Sequence, residues 1–437
     1  MIRKTALIGI LMTASGLLCT GATADTQVIH AGTLLAIPGE KPLREQTIVV
    51  TDGRIKLVAD GYRQAGEYGA ENAIDLRDGF VMPGLMDMHV HLQGELSPQN
   101  DSRSLRWSNE TVQMFGYHNA MKTLMAGFTT VRDAGSLTQQ TYAVRDAINN
   151  GWIDGPRIVA AGSVGITGGH ADVSGARHEF LKLLTDDSIC DGPYDCRRAT
   201  RMRIKYGADL IKITSTGGVL TDRATGTGQQ MEQDELKEVV RAAKRMGRKV
   251  ASHAHQEAGI VAALEAGVDS IEHGTYTGKK AIRLFKSTGA YLVPTLLAGR
   301  TVGMMAESGT TLTPAQAKKA IEVDRAMQGN FARAYAAGVR VAFGTDSGVS
   351  RHGENAHEAV LMHEAGMSEM AILVAATVNA ADLIGMSDSL GTLEVGKHAD
   401  IIATYGSPLN SIHELLDVDF VMKGGKVFKH QVLASNP

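Results

Sequence analysis

Leu210-Ile211-Lys212-Ile213-Thr214 runs into Ser215-Thr216-Gly217-Gly218 near the middle of a 437-residue chain. A short apolar run, bounded by glycines and preceded by the helix-like Cys196 to Lys205, reads as a strand buried on both faces. The lysine at its centre contradicts that burial. An unpaired ammonium costs several kcal/mol to bury, so Lys212 either sits at the strand's rim and snorkels to water or carries chemistry. The chemical alternative is an amine converted to a carbamate between two metal ions, which changes its charge from plus one to minus one.

Outward from this strand, similar runs recur at Phe80 to His89, Thr129 to Arg132, Arg157 to Ala161, Asp209 to Thr214, Lys249 to His253, Ser270 to His273, Tyr291 to Thr295 and Val339 to Thr345. Helical patterns such as Glu232 to Arg248 and Pro314 to Ala337 separate several of them. This α/β alternation predicts a distorted (β/α)8 TIM barrel over residues 81–390, with catalytic groups at the C-terminal strand ends. At the N-terminus, Val28-Ile29-His30 and Thr47 to Thr51 alternate with turns at Pro38-Gly39 and Asp52-Gly53, the pattern of an antiparallel hairpin sheet. The C-terminal Ala399 to Ala403 and Asp419 to Lys423, ahead of Gly424-Gly425, look alike. Neither end can hold a core alone, so residues 25–80 and 391–437 are expected to pair into one small β-sandwich domain.

A hydrophobic content of 43% supports a sizeable core, and a formal net charge of -3 without basic runs argues against nucleic acid as a partner. No internal repeat or low-complexity tract is found. Arg3 and Lys4, the apolar Ala6 to Leu18 and the small-x-small Ala22-Thr23-Ala24 read as a secretory signal over residues 1–24. Its apolar core is too short for a permanent span, so the expected mature chain starts near Asp25, spans no membrane and is periplasmic or secreted. Of three cysteines, Cys190 and Cys196 then remain. In an oxidising compartment they either stay free or pair around the Gly192-Pro193 turn, worth about 2 kcal/mol.

The predicted strand ends carry the chemistry. Asp87-Met88-His89-Val90-His91 ends the first run, and its period-two alternation puts both imidazoles on one side of the backbone, within reach of one ion. The fourth run holds Lys212, the fifth ends in Ser252-His253-Ala254-His255, the sixth in Glu272-His273-Gly274 and the eighth in Thr345-Asp346-Ser347-Gly348. Satisfied core histidines and capping aspartates account for any one of these. Four histidines, an aspartate and a lysine at the face where barrels do chemistry are far more specific.

Phe80-Val81-Met82-Pro83-Gly84-Leu85-Met86-Asp87-Met88-His89-Val90-His91, then Lys212, His253, His273, Asp346 and Gly391 to Ile401, resemble the amidohydrolase superfamily over essentially the whole mature chain. Thr167-Gly168-Gly169-His170, Cys190-Asp191-Gly192-Pro193, Ile211 to Gly218 and His352-Gly353-Glu354-Asn355 are similar to its imidazolonepropionase-like branch. That branch includes Xaa-Pro dipeptidases, carboxypeptidases releasing a C-terminal amino acid, and ochratoxin-hydrolysing amidases. The resemblance implies that His89, His91 and Asp346 hold one divalent ion, His253 and His273 a second, and that carboxylated Lys212 bridges them. Zinc is the default, with manganese and cobalt as alternatives. A ring-like homo-oligomer, up to an octamer, is implied by the same resemblance.

On this reading Asp346 is the catalytic proton carrier, and the substrate is a dipeptide or an N-acyl amino acid. His170 and His255 are candidates to bind the carbonyl oxygen or a substrate carboxylate, and Arg223, Arg300 and Arg351, which follow strand ends, are further candidates for the carboxylate. The competing enzymatic reading is opening of a cyclic amide or lactone at the same centre. A non-catalytic scaffold is disfavoured because all six ligands are kept. No Gly-x-Ser-x-Gly supports a serine hydrolase, and no Gly-x-Gly-x-x-Gly supports a dinucleotide.

Overall fold

The computed structural model describes residues 25–431 apart from 99–102, 104–105, 137, 174–176, 222–225 and 310–311. The secretory signal read over residues 1–24, and Arg223, lie outside the described residues. Four strands open the chain: β1 (Thr26–Leu34), β2 (Leu43–Thr51), β3 (Arg54–Asp60) and β4 (Ala73–Pro83). Eight follow: β5 (Leu85–Val90), β6 (Phe128–Asp133), β7 (Arg157–Ile166), β8 (Ile189–Cys190), β9 (Leu210–Thr214), β10 (Lys249–Ala254), β11 (Ser270–His273) and β12 (Tyr291–Val293). Three close it: β13 (Ile401–Thr404), β14 (Phe420–Lys423) and β15 (Lys426–His430).

The two ends of the chain pair through β13 and β4, antiparallel, with Ile402 opposite Met82. The resulting sheet is continuous in the order β15-β14-β13-β4-β1-β2-β3. It is mixed, because β1 and β4 run parallel. Its strands alternate so that Ile29, Ile48, Val81, Ile401, Phe420 and Met422 gather into one buried core.

The run expected as a single strand from Phe80 to His89 is two strands, and the break falls at Pro83-Gly84. Proline brings no N–H to a ladder, and a Cβ on Gly84 would stand 2.3 Å from Thr129 Oγ1. Only glycine lets the chain cross here from the terminal sheet into the barrel. Barrel strands then pair in parallel in the order β5-β6-β7-β9-β10-β11-β12, with β8 added to the far end of β7.

The expected eighth strand, Val339 to Thr345, forms no regular ladder. It closes the barrel by single bridges, Leu292 with Val341 and Val90 with Ser347. On one side Ala342 N donates to Leu292 O at 3.0 Å, and on the other Met88 N donates to Phe343 O at 2.8 Å. Left-handed backbone at Asp346 (φ 59°), at the end of the closing segment, and at Thr295 (φ 52°), just past its neighbour β12, accompanies this irregular pairing. β12 stops at Val293, where Pro294 brings no N–H to the ladder and Thr295 turns left-handed. The outer helices follow their sequence signals; Pro314–Ala336, for example, starts with a Thr313/Gln316 capping box and proline in the first turn.

Candidate active site

Lys212 is buried, 6% exposed, in a strand whose five residues are all buried. It does not snorkel: its Nζ lies 3.5 Å from His89 Nε2 at the C-terminal end of the barrel. There, His89 Nε2 and His91 Nε2 are 3.3 Å apart, and Asp346 Oδ1 lies 3.1 Å from His91 Nε2 and 3.6 Å from His89 Nε2. Among the described residues these three form the group whose donor atoms converge as for a metal ion. His273 stands beside them, its ring 5.1 Å from that of His89, and His253 is 4.5 Å further on. His255 stacks on His273 at 5.0 Å, and His170 packs on His253 at 4.4 Å. One cavity of about 350 Å³ is lined by the six predicted metal ligands and by His170 and His255.

The electrostatics favour neutral imidazoles. Burial first, then the surrounding positive groups, push the pKa values of His89, His253 and His273 well below the ordinary value. His170 is held at about 4 and His255 at about 3 for the same first reason. His91 differs: burial pulls it down, but the adjacent Asp346 carboxylate outweighs that and raises it. Burial likewise opposes ionisation of Asp346, yet His89 and His91 hold its carboxyl below the usual range. Lys212 is lowered, chiefly by burial.

Asp346 Oδ1 is buried without a hydrogen bond although His91 is within reach. Two ring nitrogens and a carboxylate oxygen, all within 4.8 Å of one another, suit a divalent cation between them. The residues present therefore fit the metal that the sequence implies.

Other groups aim these ligands. Asp87, two residues before His89, accepts from His89 N at 3.0 Å, Thr345 Oγ1 at 2.6 Å and Asn355 Nδ2 at 2.7 Å, tying β5 to the segment that carries Asp346. Burial raises its pKa to about 6. His273 Nδ1 and His255 Nδ1 each lie 2.8 Å from a threonine hydroxyl, of Thr295 and Thr275. His89 Nδ1 instead meets the buried carboxylate of Glu272 at 2.8 Å. Sequence reading missed Glu272 and Asp87 as contributors; the available signal was an acid next to, or one strand period before, a ligand histidine.

Neither described arginine offered for a substrate carboxylate lines the cavity. Arg300 faces Asp324 at 3.6 Å and Arg351 faces Glu354 at 3.9 Å, both on the outside. Being long and exposed, they find partners away from the cavity: Arg300, on the helix Leu296–Ser308, reaches the helix Pro314–Ala336, and Arg351 pairs within its own loop. The pair Cys190 and Cys196, left open by the sequence, forms a disulfide next to β7.

A parallel barrel with clustered histidines, an aspartate and a buried lysine at its C-terminal face defines a metal-dependent hydrolase. Residues 80–428 match the amidohydrolase family, and the chain belongs to it. It is 33% identical to an ochratoxinase of Aspergillus niger, over 93% of this chain and 87% of that protein. A Xaa-Pro dipeptidase crystallised with methionine in its active site superposes with a TM-score of 0.88 at 39% identity, covering 93% of this chain and all of the other. A prolidase complexed with N-methylphosphonate-L-proline gives 0.83 at 28% identity, with coverage of 93% and 100%. The protein is accordingly a hydrolase acting on amide bonds.

Proposed function

We propose that the protein is a binuclear amide hydrolase that releases a C-terminal amino acid from dipeptides or N-acyl amino acids, ochratoxin A among the candidates. The observation that carries this reading is Lys212, buried with its Nζ 3.5 Å from His89 Nε2 and sharing one cavity with His91, Asp346, His253 and His273. A lysine whose pKa burial lowers has neutral amine to add to CO2, forming an N–C bond and releasing a proton. The carbamate so formed would replace a buried cation by an anion, and with His89, His91, Asp346, His253 and His273 it would hold the two ions. Two divalent ions held there, zinc by ligand type, would supply hydroxide near neutral pH and Lewis-acid polarisation of the scissile carbonyl.

Asp346 accepts the proton of the attacking water and delivers it to the leaving amine as the C–N bond breaks. His170 and His255, neutral and lining the cavity, orient the carbonyl or the α-carboxylate through hydrogen bonds. Leu96, Val219, Leu220, Val302 and Met327 also line the cavity and give it an apolar wall that suits a bulky, loosely specified side chain or acyl group. Export fits the Cys190–Cys196 disulfide, since such bonds persist in oxidising compartments. Among the described residues no helix is long and apolar enough to cross a membrane.

The test is a screen of dipeptides and N-acyl amino acids with metal-replete enzyme, reading released amine. Capping the carboxylate of a substrate as its amide should lower kcat/KM by roughly one to two powers of ten, the cost of a charge-assisted hydrogen bond. Equal cleavage of the capped compound would reject release of a free C-terminal amino acid and favour cyclic amides or lactones.

A further inference from the structure

Beneath the histidine cluster lies a buried ion pair, Arg132 on β6 and Glu272 on β11, 2% and 0% exposed. Arg132 Nη2 donates to both oxygens of Glu272 at 2.8 and 2.9 Å, Nη1 to Ser270 Oγ at 3.0 Å, and Nε to Met88 O at 2.5 Å. Ser270 Oγ donates to Glu272 Oε1 at 2.5 Å, and Glu272 Oε2 accepts a hydrogen bond from His89 Nδ1 at 2.8 Å. One guanidinium thus spans the barrel interior, holding the residue before His89 and the residue before His273. Stability alone is a poor account of such a pair, because apolar replacement of buried ion pairs is often neutral or stabilising. Its carboxylate, moreover, is aimed at a ring whose other nitrogen faces His91 and Asp346. The rings of His170, His255 and His273 are held by uncharged threonine hydroxyls instead.

We propose that the Arg132–Glu272 pair is a positioning device that sets the metal affinity of the His89, His91 and Asp346 site. This rests on the metal reading given above. Glu272 fixes the proton of His89 on Nδ1, so that the Nε2 lone pair points to the ligand group, and its charge makes that nitrogen more electron-rich. Arg132 fixes Glu272, and through Met88 O it fixes the end of β5. Neither residue touches the substrate.

Glu272→Gln keeps the size and an acceptor oxygen but removes the charge. Because it leaves Arg132 unpaired in the interior, the neutral double variant R132M/E272Q is made alongside it. Metal retained by folded protein is measured by elemental analysis after equilibration against graded chelator, with circular dichroism as the check of folding. Loss of affinity by roughly 10–100-fold for one of the ions is expected, the range found when a partner of a ligating histidine is removed. The curve of kcat/KM against added metal should move by the same factor and regain most of its height at saturation. A folded double variant that binds metal like the wild type overturns this proposal alone. Wild-type protein that binds no divalent ion overturns the metal reading and this proposal with it.

Discussion

Asp346→Asn separates the proton-transfer role of this side chain from its role as a ligand. The residue sits at φ 59°, a left-handed conformation that asparagine tolerates better than other uncharged side chains. Its backbone N–H, bonded to His89 O at 2.7 Å, is untouched, and the carboxamide has the shape of the carboxylate. The change therefore removes charge and basicity with little else. Weakened metal binding is restored by excess metal, whereas loss of a positioned proton carrier typically costs 10²–10⁴-fold in rate, or about 2.7–5.5 kcal/mol at 1.36 kcal/mol per decade. Measured by amine release at saturating metal, with bound metal counted in the same sample, kcat/KM should fall by at least roughly 100-fold. A metal-saturated variant that keeps more than about a tenth of wild-type kcat/KM would refute the assignment of Asp346 as proton carrier.

Lys212→Ala should abolish turnover and be partly rescued by short carboxylic acids that fill the vacated place, while Lys212→Arg, a permanent cation that forms no carbamate, should not recover. Retention of most activity in either variant contradicts a carbamate role. His255, held at about 3 by burial and by His170, is neutral when folded and has its ordinary value near 6.5 when unfolded. Its contribution to stability is full above pH 6.5 and is lost as the pH falls toward 3, at about 1.4 kcal/mol per unit. Melting of metal-free protein should therefore drop more between pH 7 and pH 5 for the wild type than for His255→Gln, and equal drops would count against it. Replacing both Cys190 and Cys196 by serine should lower the urea-unfolding free energy by about 2 kcal/mol, the loop-closure value for so short a loop, and an unchanged midpoint would contradict that.

Much of the barrel was legible because its buried strands are short apolar runs that end in polar, chemistry-bearing residues. Lys212 stood out for the same reason: a charge inside Leu210 to Thr214 violates the local pattern, and the structure buries it among the ligands. The break at Gly84 was not legible, since Phe80 to His89 is apolar on both sides of it and the cause is a close approach of Thr129 from another strand. Nor was the irregular closure at Val341 to Ser347, where left-handed Asp346 trades ladder bonds for the aim of its carboxylate. The partners of the ligands escaped because Arg132 and Glu272 are 140 residues apart, and a buried ion pair leaves no local period. Arg300 and Arg351 misled by sequence position: following a strand end does not decide which way a long side chain turns.

The binuclear centre is tested most directly by titrating metal-free protein with zinc while bound metal and kcat/KM are followed together. Activity should rise to a plateau at about two ions per chain, as five imidazole and carboxylate ligands around a carboxylated Lys212 require. Full activity at about one ion per chain would contradict it.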